Sequence, residues 1–134
     1  MKDLMKTNIY DCKEEIIIVG SCLKSMQPNA FKELENMNLP IFELCLEQTH
    51  INMAITKLLG MIRAKNINKV IFASVDKSPH CIQLHYIQDE ITKLGFNIQF
   101  TNYVAVENKI IEINKDTISL SKNLLKLANF MKDN

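Results

Sequence analysis

Two side chains four residues apart, Cys81 and His85, form the most chemically pointed pair in the sequence. They lie in the stretch over residues 68–94, NKVIFASVDKSPHCIQLHYIQDEITKL. An apolar run (Val70, Ile71, Phe72, Ala73) breaks at Ser74-Val75-Asp76-Lys77. Ser78 then suits a helix N-cap, and Pro79 suits the first helical position, where a missing N–H is harmless. A helix starting there puts Cys81 near its third position, beside free N–H groups and the positive dipole end, a setting that favours thiolate. His85 follows one turn later on the same side. A thiolate nucleophile with an imidazole base is one chemistry this spacing predicts, with Asp76 or Glu47 available to orient the ring.

Three further cysteines widen the choice. Cys22 follows an apolar run (Glu15 to Gly20, EIIIVG), Cys45 lies near the end of another (Ile41 to Leu46, IFELCL), and Cys12 precedes both. Soft thiolates with a nearby imidazole suit zinc, copper(I) or an iron–sulfur cluster. No CxxC pair is present, so a metal site would be assembled by tertiary structure, from Cys22, Cys45 and Cys81 with a histidine, His80 or His85. The expected cofactor is an iron–sulfur cluster or zinc. His80 projects along the apolar stripe of its helix and also reads as a helix-start residue bonded to backbone. His50, at the start of the preceding helix, is a further candidate for the same crevice. The loop Gly20-Ser21-Cys22-Leu23-Lys24-Ser25 follows the first long strand, as phosphate loops do. Ser21 and Ser25 are its candidate nucleotide- or flavin-phosphate ligands, although neither GxGxxG nor GxxxxGK[ST] is present.

These residues need elements to position them. Apolar runs at residues 15–20, 41–46 and 70–73 read as buried strands. Helices are expected from Pro28 to about Met37, from His50 to Lys65 with Thr49 as cap, and from Pro79 to a stop at Gly95. Residues 97–106 and 109–113 read as two strands joined by a tight turn at Glu107-Asn108. A final amphipathic helix, capped at Asp116 or Thr117, carries Ile118, Leu120, Leu124, Leu127, Ala128 and Met131. The order β-α-β-α-β-α-β-β-α predicts an α/β three-layer sandwich with a mainly parallel sheet and a C-terminal antiparallel hairpin, flavodoxin-like or Rossmann-like in plan. In such a sheet the strand C-terminal ends share one edge, where Cys22, Cys45 and Cys81 would meet.

Composition bounds the rest. The 134 residues fit one domain, with residues 1–13 as a short leader, partly ordered or flexible. A net charge of +1 with no basic stripe argues against a nucleic-acid partner, and no apolar run approaches membrane-spanning length. The polar N-terminus lacks a signal-peptide core, so the expected compartment is the cytoplasm, where cysteines stay reduced. Expected partners are a small molecule or a redox partner. The 97–113 hairpin and the last helix carry enough apolar residues for a homo-oligomer interface.

Two places resemble the CGGC-type domain, a small cysteine-rich metal-binding family. One is the first long strand ending in Ser21-Cys22. The other is the strand-turn-helix-strand over residues 70–103, with Pro79 and Cys81 at the helix start and Lys93-Leu94-Gly95-Phe96 before the next strand. Together they span about a third of the chain. The motif that names the family is absent, Cys45 standing in a comparable place, and His80 precedes Cys81 where the family has the reverse order. The resemblance implies a metal held by Cys22, Cys45 and Cys81.

Overall fold

The structure, a computed structural model, describes residues 1–132. Six strands form one sheet: β1 (Lys2–Asp3), β2 (Glu15–Gly20), β3 (Ile41–Leu44), β4 (Lys69–Val75), β5 (Gln99–Val106) and β6 (Lys109–Ile113). Their spatial order is β1-β3-β2-β4-β5-β6. All neighbours pair parallel except β5 and β6, which form the antiparallel hairpin. After β2 the chain steps outward to β3, then returns across β2 to β4. The direction of winding therefore reverses between β2 and β4, the switch point beyond whose C-terminal strand ends doubly wound sheets place their crevice.

Near-continuous apolar sequence makes β2 and β4 central strands, because both of their faces are covered. Ile16, Ile18, Val70 and Phe72 face α3 (Ile51–Lys65) and α4 (Gln83–Lys93), where they meet Leu58, Met61, Leu84, Ile87 and Ile91. Ile17, Val19, Ile71 and Ala73 face the opposite layer, formed by the short helix α1 (Leu23–Met26) and by α2 (Pro28–Glu35) with its inward Ala30, Phe31 and Leu34. α5 (Lys115–Lys122) packs beside α4: Tyr86 and Ser121 hydroxyls lie 3.0 Å apart, and Lys122 pairs with Asp89.

Several boundaries depart from the sequence expectation for identifiable reasons. Residues 1–13 carry structure of their own. β1 pairs with β3, Leu4 is fully buried, Thr7 bonds back to the Asp3 carbonyl, and Lys57 reaches the Thr7 carbonyl. α4 begins at Gln83 instead of Pro79. Residues 79–82 form turns, held by Ile82 N–H to the Ser78 carbonyl and Gln83 N–H to the His80 carbonyl. α2 stops at Glu35, short of Met37. The expected final helix is two, α5 and α6 (Leu124–Lys132), broken at Asn123. Asn114 rather than Asp116 or Thr117 caps α5, accepting from the Thr117 N–H at 2.8 Å. No residue of α6 is buried, with Leu124 and Leu125 about three-quarters exposed. Among the described residues no helix is long and apolar enough to cross a membrane.

The hairpin turn has both central residues, Glu107 and Asn108, at positive φ (49° and 62°). That matches the mirror-image turn whose twist suits a two-residue hairpin. Gln27 clamps it, accepting from Asn108 N–H at 2.9 Å and donating to the Ala105 carbonyl at 3.0 Å. Asparagine tolerates this backbone region and glutamate does not. Glu107→Asn is expected to raise stability by about 0.5–1 kcal/mol, read as a higher denaturant midpoint with an unchanged slope.

Candidate functional site

The crevice at the β2/β4 switch point holds the thiol pair. Cys22 stands two residues past the end of β2 as the N-cap of α1, while Cys81 sits in the turn between β4 and α4. Their sulfurs stand 3.6 Å apart, near enough for an S–H···S hydrogen bond. Two local features place the Cys81 sulfur. Its own N–H donates to Ser78 Oγ at 3.2 Å, which fixes the turn. Opposite it, Gly20 ends β2 without a side chain, and a Cβ there would sit 2.6 Å from Cys81 Sγ. Only glycine leaves room for the sulfur at the strand end. Gly20→Ala must therefore displace Cys81. It should cost about 1–3 kcal/mol by overpacking and separate the two thiols, seen as slower Cys22–Cys81 cross-linking by a short bifunctional alkylator.

Burial pushes the Cys22 thiol up to about 11, aided by its hydrogen bond to Cys81, by charge on Cys81 and, least, by charge on Cys45. Cys22 thus keeps its proton at neutral pH, and either sulfur can donate in the contact between them. Cys81 itself is 8 % exposed and Cys22 is half-buried. Cys45, after β3, is also half-buried; its sulfur influences Cys22 through space only. Among the described residues no three His, Cys, Asp or Glu side chains converge as a metal-holding group. Zinc or a cluster takes three or four protein ligands, so the pair by itself does not complete such a site.

The remaining candidates are dispersed. His80 stands at the crevice rim, half exposed, with Nε2 4.0 Å from Glu47 Oε1. His50 caps α3 without a side-chain bond to its N–H groups. Ser25 donates its hydroxyl to the Cys22 carbonyl at 3.1 Å, and the Ser21 N–H goes to the Leu44 carbonyl at 3.2 Å. The loop they share thus bonds mainly to itself and enters a four-residue helix. Cys12 lies at the opposite sheet end, buried beside Ile9, its thiol pushed up by burial.

His85 does not pair with Cys81, which corrects the expected thiolate–imidazole couple. The expected placement assumed a regular helix from Pro79; because α4 begins at Gln83, His85 instead turns inward and is 2 % exposed. Nε2 lies 2.7 Å from Ser74 Oγ and Nδ1 lies 2.8 Å from Asn102 Oδ1. Gln88 completes the array, donating to the His85 carbonyl at 2.8 Å and accepting from Asn102 Nδ2 at 3.2 Å. Ser74 and Asn102 were not singled out in the sequence, yet alternation marks both. Each occupies an inward phase of its strand, beside Phe72 and Val104 respectively, where a polar side chain requires a partner.

Burial lowers the His85 pKa, with the Asn102 bond opposing it. The folded state therefore binds this proton less readily than the unfolded chain, whose histidine titrates near ~6.5. Stability contributed by neutral His85 is complete above that value and declines as pH falls below it, at up to ~1.4 kcal/mol per pH unit. The melting temperature should fall between pH 7 and pH 5, and His85→Gln should flatten that part of the profile.

The reversal of winding at β2/β4, the parallel pairing of β1 to β5 and the helices on both faces of the sheet define a doubly wound α/β domain. The chain belongs to a Rossmann-like domain family, whose family model matches residues 12–133. The match covers the strands and helices that build the crevice and is to the Rossmann-like domain, not to the CGGC-type domain. No curated protein matches the sequence.

Proposed function

We propose that this domain is a thiol-dependent redox protein acting on a small-molecule disulfide, with Cys22 and Cys81 as its dithiol. The observation that carries the reading is the 3.6 Å separation of two free sulfurs in the switch-point crevice. A disulfide bond is about 2.0 Å long, so closure needs a modest sulfur displacement. Cys81 attacks one substrate sulfur: the substrate S–S bond breaks, a Cys81–substrate bond forms, and the first substrate thiol leaves with a proton. Cys22 then attacks Cys81 Sγ, and the second substrate thiol departs, taking up the proton Cys22 gives away. Two protein thiols become one disulfide, and the substrate disulfide gains two electrons and two protons. Burial keeps the Cys22 thiol protonated at neutral pH, so the second step speeds up as pH rises.

A second reading is a metal or iron–sulfur centre on Cys22, Cys81 and Cys45 with His80, which would draw on the same two sulfurs 3.6 Å apart. Metal and sulfide analysis of protein purified without oxygen separates the two. The dithiol reading expects four titratable thiols and no stoichiometric metal; bound zinc or iron lost on Cys22→Ser or Cys81→Ser would replace it with the metal reading.

A further inference from the structure

A second set of groups lies on the other side of the 76–82 turn. Ser74, His85, Tyr86, Val104, Ile113 and Ile118 line a largely apolar cavity of about 330 Å3, bounded by β4, β5, α4 and α5. At its base the hydrogen-bond array has a fixed direction. The His85 carbonyl accepts from Gln88 Nε2, which orients the Gln88 amide. Gln88 Oε1 then accepts from Asn102 Nδ2, which turns Asn102 Oδ1 toward His85. An acceptor at Nδ1 requires that nitrogen to carry the hydrogen, so Nε2 presents its lone pair to Ser74 Oγ at 2.7 Å. Among the described residues no buried side-chain polar atom lacks a partner, so nothing in the array competes for that lone pair.

We infer that Ser74 is an activated nucleophile, with His85 as its general base and Asn102 as the residue that orients the ring, and that the cavity takes small carboxylic esters with an apolar acyl group. The arrangement follows the nucleophile–base–orienter logic that recurs on unrelated folds. Ser74 Oγ bonds to the ester carbonyl carbon while its proton passes to His85 Nε2. The alcohol leaves with that proton, giving an acyl-serine. Water, deprotonated by the same nitrogen, then releases the carboxylic acid and restores Ser74. Lys77 and Ser78 line the cavity. Ser78 Oγ already accepts from the Cys81 N–H and keeps its O–H to donate to a developing oxyanion. The lowered His85 pKa keeps the ring neutral and able to accept a proton near pH 7.

The test is labelling of the intact protein with an alkyl fluorophosphonate, followed by peptide mapping, alongside hydrolysis of p-nitrophenyl butyrate. One phosphonyl adduct at Ser74, absent in Ser74→Ala, and ester turnover that falls about 100-fold or more in that variant support the assignment. Ser74→Ala removes one small hydroxyl and is the variant expected to fold. Folded protein that leaves Ser74 unmodified, or ester hydrolysis undiminished in Ser74→Ala, overturns the assignment and makes the array a structural one.

Discussion

Cys81→Ala abolishes reversible thiol oxidation and lowers the Cys22 pKa in the same variant. Cys22 is held at about 11 by burial, by its bond to Cys81 and by charge on Cys81. Deleting the second sulfur removes two of those three causes and leaves burial, so Cys22 should titrate between its ordinary ~8.5 and the parent value. Alkylation rate against pH, read by mass spectrometry at the Cys22 peptide, measures the shift. Cys22→Ser should equally prevent the intramolecular disulfide, although Cys81 remains free to form a mixed disulfide with the substrate. The two variants thus separate the attacking sulfur from the resolving one: a trapped substrate adduct is expected on Cys81 in Cys22→Ser, and none on Cys22 in Cys81→Ala at neutral pH.

Asn102→Leu should give the largest loss of stability of any single polar-to-apolar change in this fold. Asn102 is 3 % exposed and holds both His85 Nδ1 and the Gln88 amide. Leucine fills a similar volume but leaves the His85 N–H and the Gln88 carbonyl oxygen buried without partners, each costing about 1–3 kcal/mol. A combined loss of about 2–4 kcal/mol, or a fall of about 10 °C in melting temperature, is expected by calorimetry. A shift within 2 °C would mean that water or a rearranged side chain satisfies both groups.

The contrast between these two sites shows what the sequence could reveal. The shared sheet edge was legible: apolar runs separated by helical patterns imply parallel strands, and parallel strands put the residues after β2 and β4 at one end. Strand order then brought Cys22 and Cys81 to 3.6 Å because β2 and β4 are adjacent. Cys45 follows β3, on the far side of β2, and joins the pair through charge alone. The register of α4 was not legible. Ser78 does bond to the Cys81 N–H as a cap would, but the next residues form irregular turns before the helix settles at Gln83. That change of phase carries His85 and Gln88 from the flank into the core, toward Ser74 and Asn102. A polar residue at an inward strand position was the overlooked signal, and it needed a partner from a helix whose start the local sequence places four residues too early. Residues 1–13 were similarly hidden: two residues pairing with β3 and one fully buried leucine are too short a pattern to register as structure.

The claim that Cys22 and Cys81 act as one redox couple is tested most directly by peptide mapping after equilibration of the intact protein in a series of oxidised-to-reduced glutathione ratios. The account predicts one linkage, Cys22 to Cys81, whose fraction follows a two-electron dependence on the ratio and returns to two thiols with dithiothreitol, while Cys12 and Cys45 stay free. Oxidation that leaves Cys22 and Cys81 unlinked, or that joins either of them to Cys45 instead, would contradict it.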